Sequence, residues 1–116
     1  MANTQLSQKP KPLEITIPTG GKPVPNGPDA RLSKSQRDGK PSTFFWHAEE
    51  DCCISVRGHA LIPAPPAVLQ LDAGKYSVLY TVNPASDDVS IKYAVQSGRP
   101  CPDRQVDNGE SIIIDP

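Results

Sequence analysis

Aromatic residues are scarce in this chain: two Phe, one Trp and three Tyr in 116 positions, or 5%. Hydrophobic residues in total reach only 36%. No apolar run approaches the ~18 residues that a membrane-spanning helix needs. No segment of helical length carries a clean 3.6-residue apolar period, and Pro is scattered from Pro10 to Pro116, which excludes long helices and coiled coils. The formal net charge of −1 offers no electrostatic footprint for nucleic acid. Thr19-Gly20-Gly21-Lys22 lacks the preceding Gly and the following helix of a phosphate-binding loop. The start, Met-Ala-Asn-Thr-Gln-Leu, has no basic segment leading into an apolar core, so no signal peptide is read. The expectation is a cytoplasmic protein if the chain is full-length, and a secreted one if it begins inside a longer precursor.

What is abundant is Pro and Gly, with 14 and 8 residues. They divide the chain. Residues 1–41 hold seven of the Pro, four of the Gly and none of the aromatics, and carry seven Lys or Arg against three Asp or Glu. Residues 42–116 hold every aromatic and ten of the acids. A segment with so little apolar area cannot offset a chain entropy of about 1–2 kcal/mol per residue. Residues 1–41 therefore read as a flexible arm, with 18–41 as loop or linker. The exception is Leu13-Glu14-Ile15-Thr16-Ile17, whose strict alternation predicts an edge strand with one apolar face.

From Thr43 onward the period is two. Thr43–His47 and Cys52–Val56 read as a hairpin or as one bulged strand. Lys75–Val82 puts Tyr76, Val78, Tyr80 and Val82 on one face, and Val89–Gln96 puts Val89, Ile91, Tyr93 and Val95 on another. The turn-rich Asn83–Asp88 between them predicts an antiparallel hairpin. Ile112-Ile113-Ile114 predicts burial on both sides. About seven short strands at even spacing imply an all-β domain over 42–116: a small antiparallel β-sandwich, or alternatively a small β-barrel.

Asp72-Ala73-Gly74-Lys75-Tyr76 resembles the Asp-x-Gly-x-Tyr tyrosine corner of immunoglobulin-like sandwiches. The resemblance implies an immunoglobulin-like topology, with Asp72, Gly74 and Tyr76 as structural residues. It covers five residues, and Val78 stands where that family places a Cys.

Chemistry-bearing residues are few. Cys52, Cys53, Cys101, His47 and His59 are the only thiols and imidazoles. As a metal set, His47, His59, Cys52 and Cys101 match no knuckle spacing, and adjacent Cys52 and Cys53 on a strand point to opposite faces. One of the pair is then a small core residue and the other faces outward. Alternatively, Cys101 forms a disulfide with Cys52 or Cys53, closing a loop of roughly 50 residues and leaving one thiol. A Cys–His nucleophile pair lacks any supporting signature, so no enzyme and no cofactor are expected. Acids at Glu49–Asp51, Asp87-Asp88 and Asp103…Asp107 have no EF-hand spacing. With an exposed aromatic they make a lectin-like carbohydrate site conceivable. Phe44-Phe45-Trp46 places at least one large ring outward if only one face is core. Phe45, Trp46, His47, Tyr80 and Tyr93 are thus the candidate binding residues. The leading expectation is a non-enzymatic binding or assembly module, self-associating through strand edges and an aromatic patch. A lectin and a metal or redox protein are the alternatives.

Overall fold

The computed structural model describes residues 11–34, 41–57, 61–101 and 109–115. Among the described residues ten strands form and no helix: β1 (Leu13–Ile17), β2 (Val24–Pro25), β3 (Arg31–Ser33), β4 (Thr43–Ala48), β5 (Cys52–Arg57), β6 (Leu61–Ile62), β7 (Val68–Leu71), β8 (Tyr80–Val82), β9 (Ser90–Ser97) and β10 (Glu110–Asp115). They make two five-stranded sheets, in the orders β2-β1-β4-β8-β6 and β3-β10-β9-β5-β7, here called sheets A and B. The architecture is a small β-sandwich.

Alternation builds the core. Leu13, Ile15 and Ile17 of β1 are buried, while Glu14 and Thr16 between them are half-buried. Phe44, Trp46 and Ala48 of β4 face the same interior and meet Ile54, Ile91 and Ile112 from sheet B. Trp46 bridges the layers, its ring edge-on to Tyr80 at 5.5 Å and to Tyr93 at 5.4 Å. Truncating so large a buried ring costs about 3–5 kcal/mol.

Several expectations are corrected. The sheets are mixed rather than antiparallel: β1 runs parallel to β4, and β3 parallel to β10. The Leu13–Ile17 strand is not at an edge, because β2 pairs on its other side. Part of the stretch read as linker is built into both sheets, as β2 and β3, and Leu32 is fully buried. One apolar residue suffices there because the backbone is tied down from several sides. Ile113 N donates to Ala30 O, Lys34 N to Asp115 O, and Arg31 Nη1 lies 2.7 Å from Asp115 Oδ1. Neither expected hairpin forms. β4 and β5 lie in different sheets, as do β8 and β9, so Glu49–Asp51 and Asn83–Asp88 cross between layers. Ile113 is 38% exposed between buried Ile112 and Ile114, so β10 is covered on one face only.

The strand expected over Lys75–Val82 is interrupted. Tyr76 and Val78 are exposed, whereas Tyr80 and Val82, of the same parity, are buried. The chain changes face between them, and the device is Ser77. Its backbone N donates to Trp46 O at 2.8 Å, while its Oγ accepts from Trp46 N at 2.9 Å and donates to Val78 O at 2.8 Å. A side chain thus occupies a place in the ladder that backbone would otherwise fill.

Candidate surface site on the outer face of sheet A

The register of β1 on β4 pairs Glu14 with Phe45 and Thr16 with His47, which sets these four side chains on the outer face. A bridge from His47 to Tyr76 extends the row. The His47 and Tyr76 rings stack at 4.3 Å with 9° between their planes, and the Phe45 ring lies 5.8 Å from Tyr76. On its other flank, His47 Nδ1 is 3.3 Å from Glu14 Oε2. A carboxylate there fixes the ring orientation.

The segment that presents Tyr76 is held by its backbone. Asp72, Ala73, Gly74 and Lys75 form a tight turn closed by Lys75 N to Asp72 O at 3.0 Å. Gly74 has φ +82°, the region that the third position of a type II turn requires. Gly74 N donates to Ala48 O, and Ala48 N to Lys75 O. Tyr76, Val78 and Leu79 then stand 60%, 58% and 49% exposed within four residues. In the tyrosine-corner resemblance the Tyr ties its strand back to the corner. Here the Tyr76 ring lies outside, against His47, while Asp72 takes the structural role through Arg99 Nη2 at 2.6 Å.

The structure separates the candidate binding residues into two groups. Phe45 and His47 share the outer face with Tyr76, whereas Trp46, Tyr80 and Tyr93 are core residues, 4% exposed or less. Burial pushes the Tyr80 hydroxyl above its ordinary value. Burial does the same for Tyr93, reinforced by the Glu110 carboxylate and opposed by the Trp46 contact. Glu14, Ser77, Val78 and Leu79 were missed as site residues. Glu14 alone carried a signal, as a polar outward position of the alternating Leu13–Ile17 strand.

Of the metal set, the described residues His47, Cys52 and Cys101 do not converge. His47 is on the outer face of sheet A, and Cys52 is buried between the layers. Cys101 is bonded to Cys53, leaving Cys52 as the free thiol. His59 lies outside the described residues. Among the described residues no three or more His, Cys, Asp or Glu gather as metal ligands. The Cys52 thiol is pushed up by burial, against the lowering effect of the Arg99 guanidinium. The acidic loop at Glu49–Asp51 is occupied internally. Glu50 Oε2 accepts from Ser97 Oγ and Gly20 N, and Asp51 Oδ1 accepts from Ala73 N. Asp103 and Asp107 lie outside the described residues. A separate cavity of about 350 Å³ opens beside the start of β1, between Pro12, Pro28 and Pro41, with Lys11, Asp29 and Arg31 on its walls. Among the described residues no helix is long and apolar enough to cross a membrane. No family model, curated protein or solved structure matches this chain.

Proposed function

We propose that this chain is a non-enzymatic binding module that self-associates through the corner of sheet A built from Phe45, His47, Tyr76, Val78 and Leu79. The observation that carries this reading is the exposure of Tyr76, Val78 and Leu79 on a segment whose backbone is fixed to β4. Apolar side chains held outward on a rigid frame lose little entropy when covered, and exposed aromatic clusters mark contact surfaces. The edges of sheet A offer less. β2 and β6 are two residues long and β2 contains Pro25, features that blunt edge pairing. In this reading the partner surface is a side-chain patch, and a second copy docking about a two-fold axis supplies the matching one.

A saccharide is the second reading. It is favoured by Tyr76, a ring more than half exposed beside the polar Glu14–His47 pair. The Cys53–Cys101 disulfide supports an oxidising compartment for either reading, since such bonds persist there.

Sedimentation velocity across a concentration series tests the proposal. The wild-type chain is expected to gain mass with concentration. Tyr76→Ser with Leu79→Ser should stay monomeric while keeping its fold, because neither side chain is in the core. A wild-type monomer at high micromolar concentration refutes self-association. Binding on a glycan array, lost in the same variant, would move the assignment to the saccharide.

A further inference from the structure

We propose that Cys101 is a site of reversible thiolation, where a low-molecular-weight thiol is captured as a mixed disulfide while Cys53 departs as a thiolate beside Arg99. The two sulfurs of this disulfide are not equivalent. Cys53 lies on the outer face of β5 and is 1% exposed, whereas Cys101 is partly exposed. The attack of an incoming thiolate is therefore placed at Cys101, the more exposed residue of the pair.

The leaving sulfur has a cation in place. Arg99 Nη1 stands 3.8 Å from Cys53 Sγ. The guanidinium is held independently of the disulfide, donating from Nη1 to Cys52 O at 2.9 Å and from Nη2 to Asp72 Oδ1 at 2.6 Å. A fixed positive group lowers the cost of a buried thiolate, and a thiol of lower pKa leaves faster. The Gly98 carbonyl oxygen, 3.4 Å from Cys53 Sγ, and the neighbouring carboxylates act against this, and Arg99 is the group that opposes them; Asp72 is held by Arg99, Asp51 by Ala73 N, and Glu50 by Ser97 Oγ. Cys52 does not compete as the nucleophile. It points to the opposite face, fully buried, with its thiol pushed up by burial.

The step balances as an exchange. The thiol loses its proton to solvent, and its sulfur attacks Cys101 Sγ. The Cys53–Cys101 bond breaks, its electron pair passes to Cys53 Sγ, and one new S–S bond forms to Cys101. Attack by Cys53 on the mixed disulfide restores the original bond and expels the thiol.

The test uses the oxidised full chain and reduced glutathione, with iodoacetamide as trap and peptide mass mapping as readout. The expected product carries glutathione on Cys101 and the trap on Cys53, at a rate that rises linearly with glutathione. Arg99→Gln should slow the exchange about three- to tenfold, from the loss of leaving-group stabilisation. Arg99→Lys should recover most of that rate. The proposal is overturned by glutathione on Cys53, by no adduct, or by an Arg99→Gln chain that reacts as fast as wild type or faster. A rate that saturates at the speed of global unfolding also overturns it, since the bond would then open only in the unfolded chain.

Discussion

Ser77 shows how much one small polar side chain can settle. Its Oγ takes the Trp46 N–H and gives its own proton to Val78 O, so the run Tyr76–Leu79 stays fixed while leaving the strand pattern. Ser77→Ala removes the acceptor and leaves a partly buried backbone N–H unpaired. The expected cost is about 1–3 kcal/mol in urea unfolding. Ser77→Thr keeps the hydroxyl and should recover most of it. An alanine variant as stable as wild type would mean that the ladder closes without the side chain. No such role is legible in the sequence, where Ser77 is an ordinary polar position between Tyr76 and Val78. Gly109, like Gly74, is fixed by a backbone requirement. Its φ is +131°, and a Cβ there would come within 2.7 Å of Tyr93 O.

At the scale of elements, the alternating strands were the readable ones. Leu13–Ile17, Thr43–His47, Cys52–Val56 and Val89–Gln96 all carry their pattern in local composition, and strands stand at or within a residue of those bounds. Pairing is a different matter. Which strand crosses to the other layer depends on long-range register, and nothing local in Asn83–Asp88 distinguishes a hairpin turn from a crossover. β3 is the plainest case, a three-residue strand in a basic, Pro-rich stretch whose reason to exist is β10, more than eighty residues away. Leu32 anchors it in the core. Leu32→Ala is expected to cost about 2–5 kcal/mol by thermal or urea denaturation, the range for a buried leucine rather than for a linker residue. A cost below about 0.5 kcal/mol, usual for a surface change, would return this stretch to the status of a tether. The site was half legible: Phe45 and His47 sit on the expected strand, but Tyr76 joins them only through the Ser77 interruption.

For the whole molecule, the core carries an alkaline liability. Cys52, Tyr80 and Tyr93 are all held in their neutral forms by burial, above their ordinary values of 9.0 for Cys and 10.0 for Tyr. These are acids whose folded-state pKa exceeds the unfolded one. Above the ordinary values the unfolded chain has lost protons that the folded chain keeps. Stability from these groups is then fully present below about pH 9 and declines as pH rises, by up to ~1.4 kcal/mol per pH unit for each group. Urea midpoints should be level between pH 7 and 9 and fall beyond pH 10. The fall should be shallower in Tyr93→Phe. An equal slope in that variant would remove Tyr93 from the account.

The parallel pairing of β3 with β10 also has a mechanical side. Two parallel neighbours pulled toward opposite ends slide along each other, so their hydrogen bonds bear load together instead of opening one after another. β1 on β4 repeats the arrangement in the other layer. A chain stretched between its termini would load these two clasps before the sandwich came apart.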